Sequence, residues 1–289
     1  MTQTELNAAI RLLDDPDKQV YGIVMDKLFS QGTEIIPPLS EALSSKEATP
    51  LMRSRIESIL SKLELGDITE NLKVWQKDDS DLLKGFWYCS RLKHFTLSLE
   101  EAESQVSELF AYYSGCDLDN FTDTERIRIV NHIIFNKLKF RTTTSDEYFN
   151  PDYCFLPDVL KTRTANPVTM GLIYTLFARG IGLRVFGVNL PKIYILTLCD
   201  KKFSPLFYIN PSNNGAVFSS MEINRFINQN NIKHNNRFFS PCLNQTTILR
   251  LLNHLEYSYK MKKMFSKASC VTNLIKTFNS QLDRETDWL

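Results

Sequence analysis

The segment from Pro167 to Gly182 constrains the fold more than any other. Pro167 suits the first position of a helix, where its missing N–H is not needed. Met170, Ile173, Tyr174, Phe177 and Ala178 recur at helical spacing, and Gly180 and Gly182 end the run. Three strand-like segments follow at once: Leu183 to Val188, Ile193 to Leu198, and Leu206 to Ile209. Each is rich in β-branched or aromatic residues and bounded by Pro, Asp or Asn. Their order predicts consecutive antiparallel strands with the helix packed on them. Most other apolar residues recur at helical spacing, so the expected class is a mostly helical α+β protein.

The N-terminal region, residues 1–66, reads as short helices. Asp17 can cap one that carries Val20, Ile23, Val24 and Leu28 and stops at Gly32. Ile35, Ile36, Leu39, Ala42 and Leu43 define a second, with Pro37 and Pro38 in its first turn. Met52, Ile56, Ile59, Leu60 and Leu63 define a third. The stretch from Leu12 to Leu43 resembles one HEAT-type hairpin, a unit that cannot bury its own face alone. Residues 67–240 form the expected central domain, with its core over 122–228. Helical faces there carry Trp75, Leu82, Leu83, Phe86 and Trp87, then Val106, Leu109, Phe110 and Tyr113. Thr122 and Glu125 fit a capping box ahead of Ile127, Val130, Ile133 and Ile134, with His132 expected half-buried beside that stripe. Residues 141–166 read as a long ordered loop. Asn210 to Gly215 reads as a turn, and Ser220 as the cap of a helix carrying Ile223, Phe226 and Ile227. Residues 241–289 hold two more helices that resemble a TPR-like hairpin.

Charge and cysteine usage narrow the function classes. Lys and Arg number 34 against 33 Asp and Glu, so no basic surplus points to nucleic acid or an anionic membrane. No apolar stretch is long enough to span a bilayer, and the N-terminus carries no secretory pattern, so a cytoplasmic location is expected. Cys89, Cys116, Cys154, Cys199, Cys242 and Cys270 are widely spaced, with no CxxC and no Cys/His set at zinc spacing. Buried reduced thiols are the expectation, and neither a metal nor a cofactor is implied.

Three phrases in the centre, Asn166-Pro167-Val168-Thr169, Gly187-Val188-Asn189-Leu190-Pro191 and Ile209-Asn210-Pro211, occur in one order across 122–228. Together they resemble the SirB1-type branch of the transglutaminase-like superfamily, which has a papain-like core. The resemblance implies a Cys–His–Asp site. Its cysteine stands at the start of the central helix, where the helix dipole and an imidazole lower a thiol pKa. Its histidine comes from a strand, and an acid or amide on the next strand orients it.

The matching positions do not carry that chemistry. The nucleophile position falls at or beside Pro167, the base position at Ile193, and the orienting position at Asn210. Proline is no nucleophile and isoleucine moves no proton. Cys154, Asn166, Thr169 and Tyr194 are the expected lining of the former cleft. The leading expectation is a non-catalytic relative that binds a protein or peptide. The first alternative is a cysteine or threonine hydrolase or acyltransferase with relocated residues, in which Cys154 meets His132 or Thr169 finds a base. The second is a helical scaffold that grips partners through its two ends, with Trp288 and Leu289 as an exposed or docked tail. The sequence leaves the oligomeric state open.

Overall fold

The computed structural model describes residues 1–78, 80–113 and 120–279; Cys116, Trp288 and Leu289 lie outside them. The chain divides into two units, 1–71 and 72–289.

The first unit is helical. Helices α1 (Gln3–Leu12), α2 (Lys18–Phe29) and α3 (Ile36–Ser44) precede α4 (Pro50–Trp75). Asp17 caps α2 by accepting from Gln19 N, as its position predicts. Thr2 and Glu5 form a capping box on α1. Arg53 closes the turn between α3 and α4 by donating to the carbonyls of Leu43, Ser45 and Ala48. The third expected helix is much longer than its stripe to Leu63 suggested. Ile68, Leu72 and Trp75 extend the stripe at helical spacing, and Gly66 is passed without a break.

The second unit holds α5 (Leu82–Arg91), α6 (Leu99–Phe110) and α7 (Asp123–Asn131). The Thr122–Glu125 capping box starts α7. The chain then continues as a π-helix, His132–Lys137, in which Leu138 N donates to Ile133 O. His132 is exposed there, not half-buried, because ordinary helical spacing already puts it nearly opposite Ile127, Val130 and Ile134.

Residues 141–166 are more structured than a loop. They contain β1 (Arg141–Thr142), a 3₁₀ turn (Pro151–Cys154), α8 (Leu156–Thr162) and β2 (Thr164–Ala165), which pairs in parallel with β1. These elements are too short for sequence periodicity to register. An Arg141–Glu147 fork, with N–O distances of 2.7 and 2.9 Å, ties the stretch together.

The central helix is α9 (Pro167–Gly180), followed by β3 (Val185–Leu190), β4 (Ile193–Cys199), β5 (Pro205–Asn210) and β6 (Ala216–Phe218). They form one antiparallel sheet in sequence order. The β3–β4 turn needs only Pro191 and Lys192. Proline presets its first position and Lys192 adopts φ 66°, so β3 runs two residues past the expected Val188. Helix α10 (Ser220–Gln229) is capped by Ser219, with Glu222 completing the box, rather than by Ser220. Helices α11 (Asn244–Met261) and α12 (Phe265–Asn279) end the described chain. Among the described residues, no helix is long and apolar enough to cross a membrane.

The sheet is covered on both faces, and strand alternation decides which residue meets which layer. Tyr194 and Leu196 face α9, where they lie against Gly171. Val188, Leu190, Ile195 and Tyr208 face the other way and pack with Ile223 and Ile227 of α10. Ile193 joins that second cluster.

Candidate functional site

The start of α9 is the place to look for chemistry, since orphan N–H groups and the positive helix end converge there. In this chain Asn166 takes up those groups. Its Oδ1 accepts from Val168 N at 2.9 Å and from Thr169 N at 3.0 Å. Its Nδ2 faces Tyr153 O at 2.9 Å, Thr169 Oγ1 at 2.9 Å and Cys154 Sγ at 3.2 Å. One amide thus ties the helix start to the Pro151–Cys154 turn.

The residues expected to line a cleft are instead buried. Cys154, Asn166 and Thr169 are 0% exposed and Tyr194 is 2% exposed. Burial pushes the Cys154 thiol well above its ordinary pKa, with buried Cys89 nearby adding to the effect. That is the reverse of an activated nucleophile. His132 does not meet Cys154. It is exposed on the π-helix, with Nδ1 3.3 Å from Asn136 Nδ2. Among the described residues, no histidine is hydrogen-bonded to Cys154 or Thr169.

The three positions matched by motif do not share a space. Pro167 opens α9 on one face of the sheet. Ile193 packs into the cluster on the other face. Asn210 ends β5 two residues after Tyr208, hence on Tyr208's face, and its Oδ1 accepts from Ser212 N at 3.0 Å. It caps the 3₁₀ turn Pro211–Asn213, the turn role its place before Pro211 predicts.

Tyr194 is the residue of β4 that points at α9. Its hydroxyl is 2.9 Å from Thr247 Oγ1 on α11, and burial pushes its pKa up. Arg250 lies over its ring at 5.4 Å and donates to Asn189 Oδ1 at 2.8 Å and Leu190 O at 2.7 Å. One turn further along α11, His254 packs against Tyr148 and Phe149, with ring centroids 5.1 and 6.4 Å away. Its ring bonds to the backbone of Tyr148, while Nε2 is buried with no partner among the described residues. Sequence reasoning missed this group. The available signal was Thr247, Arg250 and His254 at i, i+3 and i+7 along α11, beside the apolar residues Ile248, Leu251 and Leu255.

Burial holds His254 well below its usual value, down to about 4, with Arg250 contributing. The unfolded ring takes a proton near pH 6.5 and the folded ring resists it, so stability is full above about 6.5 and falls as pH drops toward 4. The expected loss is roughly 3 kcal/mol at most across that window. Urea melts of wild type and His254→Phe at several pH values check it. The variant's curve should be flatter by that amount, and an equal slope in both proteins would contradict the assignment.

The sequence profile of the transglutaminase-like superfamily matches residues 88–253, more than half of the chain. The chain belongs to this superfamily. A UPF0162 protein of Xylella fastidiosa is 22% identical over 163 residues, covering 54% of this chain and 57% of that protein. F-box only protein 21 of Mus musculus is 33% identical over 71 residues, covering 25% of this chain and 11% of that one, and the Homo sapiens protein gives the same figures. The chain thus matches little more than half the length of the first relative and about a tenth of the second. No solved structure matches. Within the transglutaminase-like domain, the matched region takes in α9, the whole sheet and Arg250 of α11.

Proposed function

We propose that this transglutaminase-like chain is non-catalytic and works by binding a protein or peptide. The observation that carries this is the state of the α9 start. Its N–H groups are taken by Asn166, the nearby thiol is buried and protonated, and the sheet face opposite is filled by Tyr194. A thiolate, an imidazole and an open acyl site would all be required there. The relocated-enzyme alternative needs Cys154 or Thr169 beside a base, and their hydrogen bonds run to Asn166 instead. The binding half of the proposal rests on the turn between α11 and α12. Met261, Met264 and Phe265 are exposed there, near the partly exposed Tyr257, and exposed apolar groups of this kind mark interaction surfaces.

We read the two ends as HEAT-like and TPR-like units, and the protein as cytoplasmic. The inner faces of α11 and α12, including Leu251, Leu255, Val271 and Leu274, are buried. This favours a packing role for the C-terminal pair over a groove of the TPR type.

The test is turnover on amide, peptide and acyl-transfer substrates. Wild type should give rates equal to those of Cys154→Ala and Thr169→Ala, none above buffer. Turnover that either substitution abolished would overturn the reading. Iodoacetamide should label Cys154 in the native chain only as fast as global unfolding allows. Rapid native labelling would also count against it. For the binding half, partners captured by wild type should be lost with Phe265→Glu.

A further inference from the structure

A polar concavity lies away from the start of α9. It encloses about 410 Å³ and is lined by Arg128, Asn131, His132, Phe135, Asn136 and Asn214. Three features give it a chemical character. First, among the described residues no acidic side chain lines it, while a guanidinium, an imidazole and three amides do. Second, its floor is set in place. Asn131 accepts from Tyr174 Oη at 2.7 Å and donates to Gly215 O at 2.9 Å, so the orientation of its amide is fixed. A Cβ at Gly215 would run into Asn131, so the close approach of that turn depends on glycine. Third, three of the lining residues, His132, Phe135 and Asn136, lie on the π-helix, a rare geometry found disproportionately at functional sites.

We infer that this concavity binds a carboxylate carried on an apolar or aromatic stem. Arg128 offers a planar fork that matches a carboxylate. With Asn136 Nδ2 donating to His132 Nδ1, the imidazole keeps its Nε2–H as a second donor. Phe135, tilted at 6.3 Å from the Tyr174 ring, supplies the apolar wall for the stem. Glu125, one turn back on α7, interacts with Arg128. It is occupied by Thr122 N and Oγ1, both at 2.8 Å, and does not line the concavity. The carboxylate has two sources, a free organic acid or the C-terminus of a peptide. The inference does not depend on whether the α9 start is catalytic.

The experiment is titration of the full chain, followed by amide NMR and calorimetry, with two pairs of probes. One pair is benzoate and benzamide. The other is acetyl-Gly-Gly-Phe with a free and with an amidated C-terminus. At least one acid should bind, shifting the amides of Arg128, His132, Asn136 and Asn214, and its amide partner should not. Binding by benzoate alone assigns a free acid, and binding by the peptide alone assigns a chain terminus. Arg128→Gln should weaken binding roughly tenfold, the worth of one charge-assisted pair. Arg128 and His132 are exposed, so both Arg128→Gln and His132→Gln should keep the wild-type melting curve. Absence of binding by either acid, equal binding of acid and amide, or full affinity in Arg128→Gln would overturn the inference.

Discussion

Replacing Gly187 by alanine should destabilise the protein by roughly 3 kcal/mol, and Gly171→Ala by roughly 2 kcal/mol, at the upper side of ordinary overpacking costs. The second value runs against propensity, since glycine to alanine inside a helix ordinarily gains about 1 kcal/mol. The cause is one ring. A Cβ at Gly171 would lie 2.7 Å from Tyr194 Cδ1, and a Cβ at Gly187 would press on Tyr194 Oη while lying 2.9 Å from Thr247 Oγ1. The ring cannot yield to either side, because α9 holds one edge and β3 with α11 hold the hydroxyl end. Urea unfolding gives the measurement, and a double-mutant cycle gives the cause. Tyr194→Phe removes the nearest of the atoms that a Cβ at 187 meets, so it should recover more than 1 kcal/mol of the Gly187→Ala loss. It should do nothing for Gly171→Ala, which meets the ring carbons. Additive behaviour in the first pair would mean that the clamp around Tyr194 has been misassigned.

This clamp also explains what could and could not be read from the sequence. The class, the central helix and three of the four main strands follow from periodicity and from Pro, Gly and Asn punctuation, because those signals are local. Asp17, Thr122 and Pro167 stand where their local chemistry puts them. The fourth main strand, Ala216–Phe218, is too short and too exposed to leave a pattern. The β1–β2 bridge joins residues on either side of the whole 141–166 stretch, and no window along the chain contains that pairing.

The site was legible in its motifs but not in its sides. Matching phrases bring Pro167, Ile193 and Asn210 to mind as one set. Strand alternation then puts Ile193 on the face of α10 and Tyr194 on the face of α9, a difference of one residue in register. Glycine inside a helix and glycine inside a strand each signal close approach by something. Only the packed structure says that both make room for the same tyrosine. Arg250 and His254 come from α11, far along the chain, and their meeting with Asn189 and Tyr148 is purely tertiary.

Asn166 should be the most sensitive single position at the start of α9. Asn166→Ala removes a helix cap, worth about 1–2 kcal/mol. It also takes the side-chain donor from Thr169 Oγ1 in a fully buried place, about 1–3 kcal/mol for a group left unpaired, and weakens the hold on Tyr153 O, which keeps only the backbone N–H of residue 166 at 3.4 Å. Allowing for relaxation, a loss of roughly 3 kcal/mol is expected. Asn166→Asp is the sharper experiment. At an exposed cap the two residues are equivalent. Here the new carboxylate keeps the bonds from Val168 N and Thr169 N but sets an oxygen against Tyr153 O and Cys154 Sγ. Only the protonated acid can donate there, so folding should raise its pKa. Its deficit relative to wild type should therefore be small at acidic pH and grow as pH rises through that raised value. Chemical denaturation of both proteins at matched pH values reads this directly. A constant deficit, or none, would mean that the amide does not seal the Pro151–Cys154 turn onto the helix. An unsealed turn would leave Cys154 reachable, and its thiol would then be open to solvent and to reaction.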